Sequence, residues 1–235
     1  MDVCVAENRP IADVLVTQRG WDEARVPVIW PCGRPDEALP PESKRDRLRT
    51  SLRHELGFAD DDVVFITAAR MHEQKRPLDL VALAQRLRDV PTVHFLVAGG
   101  GDLEDEVDRA IDASEGARIR RLEFRTDIPD LIVAADVGCL VSAHEGLPVF
   151  MLECLQLGRP FLGTRVGDLG TVLDETGAGI VVDRPGDLDG LEAAVRRLAE
   201  PATRAVLAER ALAAAPRFSV ATCADEYARA FVGGS

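Results

Sequence analysis

A chain of 235 residues with 46% apolar and 29% charged side chains can bury an ordinary packed core, which excludes wholesale disorder. Its formal charge of −12 excludes holding a nucleic-acid backbone or an anionic membrane by general electrostatics; an anionic ligand needs a local cluster of donors. The longest uncharged run, 90–101, is too short for a transmembrane helix.

The opening differs from the centre. MDVCVA and VPVIW read as two strands around a helix at about 9–19, then CGRPDEALPPES (32–43) reads as a Pro-rich connector, followed by a charged helix at about 43–56. From there a short apolar run, a polar or Gly-rich turn and an amphipathic helix recur. The runs are 63–69, 93–99, a weaker 119–124, 137–142, 160–164 and 179–182, with helices at roughly 77–89, 102–113, 129–135, 149–158 and 187–199. This alternation predicts an α/β fold: a Rossmann-like parallel sheet with helices on both faces. Residues 200–231 read as a helical tail whose apolar stripe, Val220, Cys223, Tyr227 and Phe231, must pack somewhere.

The cysteines, Cys4, Cys32, Cys139, Cys154 and Cys223, form no CxxC pair and three lie in apolar stretches. They predict reduced, mostly buried thiols in a cytoplasmic protein, and the start MDVCVAENRP lacks a secretory pattern. The histidines show no metal spacing, and a structural role is the default for His144.

Ligands of an open parallel sheet sit at the carboxyl ends of its strands. Four segments fall there: ARMHEQKRP with Arg70 and Lys75, the glycines Gly99 to Gly101, FRTD (124–127) and HEGLPVFMLE (144–153). Arg70 and Lys75 suit a diphosphate, although two basic residues in a loop are about as often merely solvated. The triple glycine reads more readily as a tight turn than as a dinucleotide fingerprint, because Glu104 replaces its last glycine. Glu153 lies among Val149, Phe150, Met151, Leu152, Cys154, Leu155 and Leu157; a carboxylate in so apolar a helix needs a partner.

Taken in order, these segments resemble the C-terminal, donor-binding half of GT-B retaining glycosyltransferases of the family 4 type. The match runs from about residue 60 to 200: R-x4-K at Arg70 and Lys75, AGGGD, FRTDIPDLIVAADVGCLVS, E-x7-E from Glu145 to Glu153, LGRPFLGTRVGDLG and AGIVV. The resemblance implies a nucleotide-diphosphate sugar as donor, with no metal and no other cofactor. Glu145 would face the sugar near its anomeric centre and Glu153 the ribose hydroxyls. Arg70 and Lys75 would neutralise the departing diphosphate, beside the Gly99–Gly100 turn. Backbone amides around Leu147, Pro148, Val149 and Phe150 would hold sugar or phosphate, and Arg125 and Thr126 would face the base.

Three positions depart from the family pattern: Ala69 for a glycine, Arg76-Pro77 for the glycine after the lysine, and Asp168, which would bring negative charge close to the diphosphate. Residues 1–40 resemble the last strand-helix-strand of the acceptor-side half with its linker, and 41–235 the donor domain with C-terminal helices. The final helix typically crosses to the other half. Transfer to a sugar, lipid or small-molecule acceptor would then require a separate acceptor half or a homo-oligomer. The alternatives are a non-catalytic nucleotide-sugar-binding or interaction module and, less favoured, a plain dinucleotide-binding domain.

Overall fold

In the computed structural model, which describes residues 2–232, six strands form one sheet: β1 (Val63–Ala68), β2 (Val93–Ala98), β3 (Ile119–Leu122), β4 (Val137–Leu140), β5 (Phe161–Thr164) and β6 (Gly179–Val182). All pairings are parallel and the order is β3-β2-β1-β4-β5-β6. Strand order reverses direction between β1 and β4, and the crevice outside that switch point is where such sheets bind ligands.

The helices are α1 (Arg9–Arg19), α2 (Glu42–Glu55), α3 (Pro77–Arg86), α4 (Glu104–Asp112), α5 (Ile128–Ala134), α6 (Val149–Gln156), α7 (Leu169–Thr176), α8 (Leu188–Ala199), α9 (Pro201–Ala214) and α10 (Val220–Val232). They cover both faces of the sheet. Val64 and Ile66 of β1 pack with α5, α6, α7 and α9, whereas Val63 and Phe65 face α3, α4 and α8. That two-sided burial is why the strands read as continuous apolar runs. Helix α2 is fastened to the β4 edge by Asp136, which accepts from Arg49 Nη2 at 2.6 Å, Arg53 Nη1 at 3.1 Å and Val64 N at 2.8 Å.

Two expectations need correction. The pair of strands around α1 reduces to a single parallel bridge, Ala6 with Val28, flanked by a few ladder bonds such as Cys4 N to Arg25 O at 2.9 Å. Pro27 has no N–H to give and no third strand extends the pair among the described residues. The segment buries a small cluster of its own, Ala6, Ala12 and Val26. The stripe on α10 packs only at Cys223, which is partly buried: the helix buries no residue fully, and Val220, Tyr227 and Phe231 stay 42%, 40% and 61% exposed.

Candidate functional site

The loop after β1 is held against the loop after β2. Met71 N donates to Gly100 O at 2.9 Å, and Leu103 N to Met71 O at 2.9 Å. The glycines permit this approach: Gly99 has φ +135°, and a Cβ there would stand 2.1 Å from Ala69 O. They serve a tight backbone contact, as the residues suggested. The adjoining N-terminus of α4 already carries Glu104, Asp105 and Glu106, so it is a poor seat for an anion.

Arg70 projects from this loop, exposed, and its guanidinium has no hydrogen-bonding or ionic partner among the described residues. With Gly99, Gly100, Phe124 and Arg125 it lines a cleft of about 390 Å³ whose remaining walls are Ala68, Ala69, Ala98 and Ile128. Arg125 is committed to its neighbour: Nε and Nη2 bind both oxygens of Asp127, which raises the guanidinium pKa and holds the Asp127 carboxyl below its usual range. Thr126 is exposed but is not part of the cleft lining. At Arg76 the chain takes φ +51°, the one positive value at a non-glycine among the described residues, which explains why a glycine suits that position.

Lys75 and the loop after β4 meet across the switch point. Lys75 Nζ donates to Glu145 Oε1 at 2.6 Å and Oε2 at 2.8 Å, and Ser142 Oγ donates to Oε1 at 2.6 Å. The Glu145 side chain is 7% exposed and that of Lys75 19%, so the pair is largely withdrawn from water. Gln74 ties the same loops: its carbonyl accepts from Ala143 N and its amide donates to His144 O, both at 2.8 Å. The His144 side chain itself is exposed, contrary to a packed structural role.

Gly167 closes the far side. Its φ is +52°, and a Cβ would lie 2.1 Å from Glu145 O and 2.3 Å from Gly146 O. Beyond it, Leu147, Pro148, Val149 and Phe150 lead into α6, whose cap provides no side-chain hydrogen bond. Pro148 has no N–H; those of Leu147, just before the helix, and of Val149 and Phe150 in its first turn meet no acceptor beyond α6 among the described residues.

Glu153 has the partner its apolar helix demands. Arg34 Nε, from the connector, donates to Glu153 Oε1 at 2.7 Å, while Gln156 clamps the Arg34 backbone through bonds of 2.9 and 3.0 Å. Burial pushes the Glu153 carboxyl above the usual carboxylate range, and the Arg34 guanidinium pulls it back. Arg34 went unnoticed in the sequence, where a Pro-rich connector gives no signal of a partner 119 positions away.

Asp168 is the other correction. Its side chain is buried and Oδ2 accepts from Trp30 Nε1 at 2.6 Å and from Arg9 N at 3.0 Å. It anchors the N-terminal segment instead of projecting toward a diphosphate. No group of three or more His, Cys, Asp or Glu that could hold a metal occurs among the described residues, and none of their helices is long and apolar enough to cross a membrane.

Comparison with known proteins places this geometry. Residues 62–201 match the family model described as glycosyl transferases group 1. A D-inositol 3-phosphate glycosyltransferase of Xylanimonas cellulosilytica is 31% identical over 97% of this chain and 57% of its own length. An alpha-D-kanosaminyltransferase of Streptomyces kanamyceticus is 24% identical over 95% of the chain and 60% of its own length. The chain thus spans little more than half the length of these relatives. In fold it is similar to Anabaena HepE, solved in complex with UDP-glucose, with a TM-score of 0.84 and 23% identity over 99% of this chain and 64% of that one. The parallel sheet, its switch point and the matched segments together show that the chain belongs to the group 1 glycosyl transferases, with the fold of a GT-B C-terminal half.

Proposed function

We propose that the chain binds a nucleotide-diphosphate sugar at the carboxyl ends of β1 and β4, for retaining transfer of the sugar, and that transfer requires an acceptor half beyond these residues. The observation that carries this reading is the Lys75–Glu145–Ser142 network at the switch point, beside the unpaired Arg70. A fixed carboxylate accepts hydroxyls of a bound sugar. As the bond from the anomeric carbon to the diphosphate breaks, the departing oxygens gain charge; the Arg70 fork and the Lys75 ammonium stabilise it without a metal. The amides of Leu147, Val149 and Phe150 supply further donors. Glu153 keeps Oε2 free of Arg34 and can accept from the ribose hydroxyls. Phe124, 80% exposed at the mouth of the apolar cleft, offers the base a surface, while Arg125 serves to hold the loop through Asp127.

One further reading is a nucleotide-sugar-binding or interaction module without catalysis, supported by the chain spanning little more than half the length of its relatives. Thermal unfolding against UDP, GDP, ADP, their sugar conjugates and NAD tests the proposal. A ligand at about 100 times its dissociation constant adds roughly 2.7 kcal/mol. A response to one nucleoside diphosphate and its sugars is the expected result; a response to NAD alone overturns the proposal. Retention of that response without sugar transfer when an acceptor half is supplied selects the binding module.

A further inference from the structure

Two cysteines that the sequence separates by most of the chain meet at the back of the connector. Gly33 N donates to Phe218 O at 2.9 Å, which lays the connector across the start of α10. One turn into that helix, the Cys223 thiol donates to Trp30 O at 3.6 Å. These two bonds, to Trp30 and from Gly33, bracket Cys32 on the connector and place it beside Cys223, whose thiol feels the Cys32 sulfur electrostatically. Both are partly exposed, and Cys223 lines an opening of about 270 Å³ with Arg9, Trp30, Arg217 and Glu226. By contrast Cys139 and Cys154 are fully buried, which pushes the Cys139 thiol up to about 12 and that of Cys154 well above its usual range, so both are inert.

We infer that Cys32 and Cys223 are a modification site: a dithiol that a hydroperoxide converts reversibly to a disulfide, pinning α10 to the connector that carries Arg34. Burial and the adjacent Cys32 sulfur raise the Cys223 thiol, which assigns Cys223 the second, resolving step. The Cys32 thiolate attacks one peroxide oxygen; an S–O bond forms, the O–O bond breaks and, after one proton is taken up, water leaves. Cys223, losing its proton, then attacks the Cys32 sulfenic acid; the S–S bond forms and the hydroxyl departs as a second water. Two thiols and one hydrogen peroxide thus give one disulfide and two waters.

The crosslink would matter because α10 is tied to the chain chiefly at its first turn, through Thr222 Oγ1 to Pro216 O at 2.8 Å and Cys223 to Trp30 O. The helix buries no residue, so its amides should exchange rapidly in the reduced chain. The connector end of the crosslink lies two residues from Arg34, whose guanidinium meets Glu153. Oxidation therefore bears on the geometry of the donor-side carboxylate as well.

The test treats the reduced chain with one equivalent of hydrogen peroxide, denatures it in alkylating reagent and maps it with trypsin without reductant. Joined peptides 26–44 and 218–229 lacking two hydrogens, with three of the five thiols still alkylated, are expected. Dithiothreitol should restore all five, and amide exchange over 220–232 should slow on oxidation in wild type but not in Cys32→Ser. Both peptides remaining separate, Cys32 carrying sulfinic acid beside an untouched Cys223, or a link that joins two copies of the chain would each overturn the inference. This assay needs no nucleotide, so its outcome is independent of the proposed donor site.

Discussion

Replacing Lys75 with Met removes both hydrogen bonds of 2.6 and 2.8 Å to Glu145 and leaves that carboxylate with Ser142 Oγ alone. Removing one partner of a buried ion pair costs about 3–5 kcal/mol, because the remaining charge is uncompensated. Lys75 is 19% exposed and water can enter where its ammonium stood, so a loss of about 2–4 kcal/mol is expected here. Glu145→Gln should cost less, about 1–2 kcal/mol, since the more exposed ammonium can rehydrate and the amide oxygen still accepts a bond. Combining the two should recover part of the loss, with a coupling of about 1–3 kcal/mol. Urea unfolding of wild type, both single variants and the double variant measures all four corners, provided the slopes match. A Lys75→Met midpoint within about 0.5 kcal/mol of wild type, or strictly additive single losses, would refute the reasoning that the pair is desolvated.

Three further predictions follow from the same geometry. Asp168→Ala strips the acceptor from Trp30 Nε1 and Arg9 N and should loosen the N-terminal segment by about 2–4 kcal/mol; a red-shifted tryptophan emission and faster proteolysis near residues 4–30 check it, and unchanged emission counts against it. Gly167→Ala forces a side chain into φ +52° at about 1–3 kcal/mol and presses Cβ on two carbonyls of the Glu145 loop, so the melting temperature and nucleotide response should fall together. Because burial raises the Glu153 pKa, the folded chain keeps a proton that the unfolded chain releases; this contribution destabilises the fold as pH rises through that window. Glu153→Gln removes the effect, so its stability relative to wild type should climb with pH, and parallel pH curves would contradict the assignment.

Much of the fold was legible because double-sided burial writes itself as apolar runs; β1 and β2 end within one residue of their sequence-based limits. The short pairing around α1 was not, since apolar β-rich composition does not reveal whether a third strand exists to extend a ladder. Nor was the open face of α10, because periodicity shows that a stripe exists but not what covers it. At the site, residue type and spacing singled out Arg70, Lys75, Glu145 and Glu153, but not how they pair. Arg34 and Asp168 act across 119 and 138 positions, and contacts at that range leave no periodic trace. The Arg125–Asp127 pair is the opposite case: two residues apart, it was open to view in the sequence.

The most direct measurement is a calorimetric titration of the wild-type chain and of Arg70→Ala with UDP, GDP and ADP. The Arg70 guanidinium has no partner among the described residues, so its removal should leave the fold intact and delete only a charge-assisted bond to phosphate, about 1.5–3 kcal/mol or at least tenfold in affinity. One nucleoside diphosphate should bind per wild-type chain, with that loss in the variant. Equal affinity in both proteins, or no nucleoside diphosphate bound by a folded wild-type chain, would contradict the proposed donor site.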